Sequence, residues 1–184
     1  MAKLTLHSNS IVLRGRMIRI AKKDDLEGIM AIFKSWPKSY DYESAQSYYK
    51  NFFDGKHDAD VVFVLEKEDE IVGTAGYCLE QSEGVKGIYW LNWLYISQEH
   101  QGKGYASNLL SFVIKELKAK NARKLFVNTS SHKFYKNAVR LYVKFGFEEE
   151  GCLEKFYSES EHQIIFGLDF KMIQKIPFDS SLSA

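Results

Sequence analysis

The chain has 184 residues, 45% of them hydrophobic, a length that predicts one domain with enough core to need no disulfide or metal staple. Its 25 basic and 24 acidic side chains leave a net charge of +1, which argues against a dedicated nucleic-acid partner. No apolar run approaches the ~20 residues of a membrane span, and the N-terminus lacks an apolar stretch ending in a small-residue cleavage site, so the expected setting is the cytoplasm, away from membranes.

Residues 1–16 read as an arm or extra edge strand, 17–174 as the folded domain and 175–184 as a tail. Met17 to Ala21 reads as a strand. Asp24 and Asp25 then offer an N-cap to a helix whose Leu26, Ile29, Met30 and Phe33 share one face, and Pro37 ends it. An aromatic loop with Trp36, Tyr40 and Asp41 leads to a second helix, Tyr42 to Asp54. Val61 to Glu66 and Ile71 to Glu80 form a hairpin about the charged turn Lys67 to Glu70. Ile88 to Ile96 is a strong strand, followed by a glycine-containing turn and a helix from Gly104 to Lys118 that Asn121 stops. Leu125 to Asn128 is a strand and Asn137 to Phe145 a helix capped by Gly146. Phe147 to Cys152 and His162 to Phe170 are two closing strands. The order β, α, α, β, β, β, α, β, α, β, β predicts an α/β (α+β) fold: a mixed sheet with helices on both faces. Cys78 and Cys152 fit no zinc or CxxC spacing and read as small buried hydrophobes.

Gln101-Gly102-Lys103-Gly104-Tyr105-Ala106 lies between a strand and a helix start. The first helical N–H groups have no internal partners and sit at the positive end of the macrodipole, so this is a place for an anion. The two glycines and Ala106 let a phosphate approach the backbone, and Lys103 adds charge. The same residues also suit a tight turn that uses glycine for geometry alone. The spacing is not that of a Walker loop. Nor is it a dinucleotide fingerprint, because Ser107 stands at the third glycine position and Asn128 where an acid is needed.

The pattern Q-x-x-G-x-A at Gln101, Gly104 and Ala106, followed by Ala138-Val139-Arg140-Leu141-Tyr142-Val143-Lys144-Phe145-Gly146-Phe147, resembles the GNAT superfamily of N-acetyltransferases over roughly Met17 to Phe170. The resemblance implies a largely antiparallel central sheet, splayed between strand 88–96 and strand 125–128, and acetyl-CoA as co-substrate. It implies that the turn Gln101, Gly102, Lys103, Gly104, Tyr105, Ala106, with Ser107, holds the coenzyme A pyrophosphate. It also implies that the main chain of Leu94, Tyr95 and Ile96 pairs with the pantetheine arm, one amide facing the thioester oxygen. Tyr142 corresponds to the tyrosine that protonates the departing thiolate in many members. The family's cofactor-contacting Asn corresponds here to Tyr135, with Asn137 close by in sequence.

Many members carry a general-base Glu where this chain has Asn92, which can position water or an amine but cannot accept a proton at useful pH. Glu80 and His100 are the alternatives for the base, each also readable as an ordinary surface or loop residue. The implied reaction is direct acetyl transfer to a primary amine, with no metal required and no histidine–carboxylate cluster suggesting one. Trp36, Tyr40 and Asp41 are the expected substrate walls, and Phe156 to Glu161 a segment that could close over the acceptor. The substrate expected is a small-molecule amine. A protein N-terminus or lysine, or a non-catalytic coenzyme-A-binding sensor, are the alternatives. A homodimer is a prior from the family alone.

Overall fold

One strand buried on both faces organises the first half of the chain. The computed structural model describes residues 10–13, 15–36 and 41–171. Within it, β3 (Asp60–Lys67) buries Val62, Phe63, Val64 and Leu65 in succession, because both of its faces are covered. Val62 and Val64 join a cluster with Ile29, Met30 and Phe33 of α1 (Leu26–Lys34) and Ala45 and Tyr49 of α2 (Tyr42–Phe53). Phe63 points the other way and meets Phe112 of α3 (Tyr105–Ala119) edge-on at 5.0 Å. Helices thus lie on both faces, as the sequence predicts. Each fully buried large apolar side chain, Ile29 and Phe33 among them, contributes about 1.5–3 kcal/mol.

The chain divides into two compact units, Met1–Cys78 with Asn92–Glu116, and Leu79–Leu91 with Leu117–Ala184. In the first, β1 (Ser10–Leu13), β2 (Arg16–Ile20), β3, β4 (Glu70–Leu79) and β5 (Ile88–Ile96) follow one another in hydrogen-bonding order. β1–β2, β2–β3 and β3–β4 are antiparallel. The β3–β4 turn places Glu68 and Asp69 at φ 51° and 65°, the left-handed pair a two-residue hairpin needs. Arg19 of β2 ties this unit together: its guanidinium reaches Asp25 at 2.7 and 2.9 Å and Glu66 at 2.7 Å. Tyr49 is fully buried, its hydroxyl 3.0 Å from Thr74 Oγ1, which donates in turn to the Phe63 carbonyl.

In the second unit β5 pairs in parallel with β6 (Lys124–Ser130), and β8 (Glu161–Asp169) runs antiparallel between β6 and β7 (Glu148–Ser158). The sheet is therefore mixed and mostly antiparallel. α3 stops as expected at Asn121, whose φ of 55° lets Ala122 N–H reach back to the Leu117 carbonyl at 3.0 Å. α4 (Lys136–Lys144) ends the same way: Gly146 has φ 84° and Phe147 N–H bonds the Tyr142 carbonyl at 3.0 Å.

Two expectations need correction. Cys78 is only half-buried, and Cys152 is exposed, because β7 lies at the end of the strand order with most of its residues open to solvent. The closing strands are longer than their apolar runs, so Phe156–Glu161 forms the tip of the β7–β8 hairpin, with Ser158 paired to Glu161. Pro37 and Tyr40, most of the N-terminal arm, and residues 172–184 lie outside the described residues. No helix among the described residues is long and apolar enough to cross a membrane.

Candidate active site

β5 carries an irregularity that its sequence hides. Glu80 N–H bonds the Ile88 carbonyl and Ser97 N–H bonds the Val72 carbonyl, each at 2.9 Å. These two ladder bonds enclose one more residue step on β5 than on β4. The surplus is absorbed at Trp93, whose φ of 51° is a left-handed conformation that a bulky residue adopts only when its surroundings hold it there. Phe33, Tyr48 and Tyr49 hold it, with ring centroids 5.7, 5.4 and 6.2 Å from Trp93. Among the described residues the β5–β6 ladder ends at Trp90–Phe126.

The residues after the bulge are those expected to meet the cofactor. Leu94 and Tyr95 are half-buried and Ile96 is buried. Tyr95 stacks on Phe33 at 4.6 Å and donates its hydroxyl proton to Asp41. The Ile96 carbonyl accepts from Trp36 Nε1 at 3.0 Å, and Ser35 Oγ accepts from Gln98 N–H at 2.9 Å. Trp36 and Asp41, expected as substrate walls, are thus fastened directly to β5. Asn92 is half-buried, and the Tyr48 hydroxyl donates to Asp60 Oδ2 at 2.6 Å.

The turn that follows stands on a buried base. A short 3-10 turn (Gln98–His100) ends in His100, 8% exposed, with Nδ1 2.8 Å from Ser97 Oγ. Tyr105 packs against the His100 ring at 6.0 Å and lies under the Arg16 guanidinium at 5.0 Å. Above this base Gln101, Gly102, Lys103 and Gly104 are exposed. Gly102 and Gly104 have φ values of 71° and 79°, with nothing within 4 Å of the place a Cβ would take. Glycine here meets the left-handed backbone conformation and leaves the space beside the main chain open. Asn108 N–H is the first to bond back, to the Gly104 carbonyl at 3.0 Å, so the N–H groups of Tyr105, Ala106 and Ser107 open the helix. The Tyr105 ring is committed to the core, leaving only its main chain for a ligand.

The second unit holds the remaining candidates. Tyr142 is 6% exposed and packs on Phe147 at 5.6 Å and Phe166 at 6.3 Å; burial pushes its phenol above the usual range. Tyr135 is half-buried at the start of α4, edge-on to Phe134 at 5.2 Å, and Asn137 is exposed. Glu80 accepts from Ser82 N–H at 3.0 Å, Ser82 Oγ at 2.6 Å and Trp90 Nε1 at 2.8 Å. These bonds, the Ser82 hydroxyl first, hold its carboxyl down to about 2.

Two arrangements escaped sequence reading. The Tyr48–Asp60 pair joins a helix to the start of a strand, and the aromatic run of α2 gave no sign of which tyrosine would find a carboxylate. Glu70, Glu99 and His100 each bring a ligand-type atom within 4.8 Å of the others, with both glutamates exposed. Folding creates this group from separate segments, so no sequence spacing announces it.

Residues 26–147 match the profile of the acetyltransferase (GNAT) family, from the start of α1 to the end of the second motif. The chain belongs to the GNAT acetyltransferase family. It is similar to the spermine/spermidine N(1)-acetyltransferase of Bacillus subtilis (strain 168), 32% identical over 91 residues. That match covers 47% of this chain and 59% of the relative, so it spans little more than half of the relative's length. A GNAT-family protein of known structure from Desulfovibrio desulfuricans shares the fold, with a TM-score of 0.74 and 23% identity, covering 84% of this chain and 98% of its own. A Salmonella typhimurium protein solved with its cofactor acetyl-CoA does so at TM-score 0.65 and 20% identity, over 85% of this chain and 94% of that one. In this GNAT chain the bulged strand and the glycine turn therefore sit on the fold that the two motifs led us to expect.

Proposed function

We propose that this chain is a cytoplasmic N-acetyltransferase that moves an acetyl group from acetyl-CoA directly to the primary amine of a small molecule. The observation that carries the reading is the bulged β5 running into a glycine turn that opens α3, in a chain of the GNAT family. In this reading the N–H groups of the 101–107 turn, with Lys103, hold the pyrophosphate of coenzyme A. The main chain of Leu94, Tyr95 and Ile96 holds the pantetheine arm as an added strand. Trp36, Tyr40 and Asp41 face the acceptor, and Tyr135 and Asn137 contact the cofactor.

The chemistry follows from these roles. A neutral amine attacks the thioester carbonyl, and a β5 amide stabilises the oxyanion that forms. Collapse breaks the C–S bond, and Tyr142 gives its proton to the departing thiolate. A buried phenol keeps that proton until a strong base appears beside it, which the desolvated thiolate is. Glu80 is taken up by three donors, Ser82 N–H, Ser82 Oγ and Trp90 Nε1, so its carboxylate serves the turn after β4 rather than the amine. The similarity to a spermine/spermidine acetyltransferase supports polyamines as the first substrates to try.

The test is acetyl-CoA turnover, followed by thiol release, against polyamines, amino acids, aminoglycosides and N-terminal peptides. Turnover with a small amine supports the reading. Turnover with peptides alone replaces it with a protein acetyltransferase, and acetyl-CoA binding with no turnover across the panel replaces it with a sensor.

A further inference from the structure

With Asn92 at the position where a proton acceptor is expected and Glu80 engaged by three donors, the proton of the attacking amine needs another destination. We propose that Tyr48 and Asp60 form a two-member relay that carries this proton away, an inference that rests on the acetyltransferase reading. Tyr48 packs on Trp93 of β5 at 5.4 Å, and its hydroxyl donates to Asp60 Oδ2 at 2.6 Å, so the pair runs from beside β5 to the start of β3. Tyr48 is held in this geometry by three rings: Trp93 at 5.4 Å, Tyr49 at 5.2 Å and His57 at 5.0 Å. It is not sealed in. With Glu43, Ser44, Ser47, Asn51 and His57 it lines an open depression along α2, through which an amine from solvent has access.

The state of the phenol fits the role. Burial first, then the bond to Asp60, raise its pKa, so the resting hydroxyl keeps its proton and directs it at the carboxylate. Its oxygen is then left to accept. The step balances as follows. The amine nitrogen forms the new C–N bond and carries a positive charge. Its N–H proton passes to Tyr48 Oη as the Tyr48 proton passes to Asp60 Oδ2. The C–S bond breaks as the intermediate collapses, and the thiolate takes a proton from Tyr142. The products are the amide, coenzyme A, a protonated Asp60 and a Tyr142 phenolate. Both return to their resting states by exchange with solvent. A carboxylate suffices because the nitrogen becomes far more acidic as the amide forms.

The experiment compares wild type, Y48F, D60N, the double variant and Y49F, on the amine giving the highest wild-type turnover. Acetyl-CoA affinity and thermal unfolding are measured on each. Y49F removes a neighbouring hydroxyl whose only described bond is structural. General-base assistance contributes typically 10²–10⁴-fold, so Y48F and D60N are each expected to lower kcat by about 100-fold, with acetyl-CoA affinity unchanged. The double variant should lose no more than the worse single one, because the two groups act as a unit. Y49F should stay within threefold. A folded Y48F with kcat within threefold of wild type overturns the relay, whether or not D60N folds. Multiplicative losses in the double variant overturn it as well. A wild type that binds acetyl-CoA and acetylates no amine overturns the acetyltransferase reading itself, and the relay with it.

Discussion

Gly73 of β4 lies on the strand beside the one proposed to bind the cofactor, and replacing it with alanine tests that assignment. An added Cβ would stand 2.6 Å from Ile96 Cδ1 and 3.1 Å from Leu109 Cδ1, against ~3.8 Å for a comfortable carbon–carbon contact. Both neighbours are the ends of flexible side chains, so relief comes by turning Ile96 away from its preferred rotamer, at about 0.5–1.5 kcal/mol, and by easing Leu109 aside. Overpacking of this kind costs about 1–3 kcal/mol, and the lower chain entropy of unfolded alanine returns about 0.4–1. The net loss of about 0–2.6 kcal/mol lowers Tm by up to roughly 10 °C for a chain of this size. Ile96 is also one of the three residues proposed to hold the pantetheine arm. Acetyl-CoA affinity, measured by calorimetry, should therefore fall about 3–10-fold. The comparison is Gly76→Ala, whose Cβ would meet the Val61 carbonyl at 2.7 Å. That oxygen belongs to the main chain and has no rotamer to turn. Gly76→Ala should destabilise more, yet leave acetyl-CoA affinity within twofold. If G73A binds acetyl-CoA like wild type while G76A loses affinity, β5 is not the cofactor strand and the reasoning fails.

Replacing Tyr142 with phenylalanine should reduce kcat about 100-fold at unchanged acetyl-CoA affinity, read by steady-state kinetics and calorimetry; an unchanged kcat removes it as proton donor. Gly102→Ala and Gly104→Ala force left-handed backbone on a side chain, at about 1–2 kcal/mol each. Titration should show acetyl-CoA affinity falling at least tenfold in each, with a Tm change of only a few degrees. The Arg19 hydrogen bonds hold the Asp25 carboxyl below its usual ~4. A depressed folded pKa means the contribution is complete above ~4 and is lost as pH falls through the folded value. Thermal melts from pH 7 to pH 2 should therefore show a shallower acid limb for D25N than for wild type. At pH 7, R19A should lose about 2–4 kcal/mol of stability by chemical denaturation, since it strands Asp25 and Glu66 in a largely buried place.

What sequence reading could reach was set by periodicity and by local backbone chemistry. The apolar faces of α1 and α3 and the left-handed stops at Asn121 and Gly146 depend on neighbours within a turn or two, and each is visible in the chain. The glycine turn at 101–104 was legible for the same reason: its function is its own backbone. The bulge at Trp93 was not, because a surplus residue exists only relative to the strand beside it. Glu80 looked like a spare carboxylate because Trp90, ten residues away, gives no sign that it will reach back across a hairpin. The long β7 was missed past Cys152 because an edge strand with solvent on both sides has no hydrophobic rhythm to read.

The bonds from Trp36 to the Ile96 carbonyl and from Ser35 to Gln98 have a consequence for how such a protein changes over time. Residues that choose a substrate and residues that grip a cofactor are usually free to drift apart. Here the start of the α1–α2 loop and the end of β5 share hydrogen bonds. An alteration that reshapes one therefore moves the other. On the proposed roles, thermodynamic reciprocity makes the coupling the same in both directions: the factor by which a bound amine tightens acetyl-CoA is the factor by which acetyl-CoA tightens the amine. If Trp36 faces the acceptor as proposed, a lineage acquiring a new acceptor through it would shift its working concentration of acetyl-CoA in the same step. Its selectivity and its sensitivity to acetyl supply would evolve as a single trait.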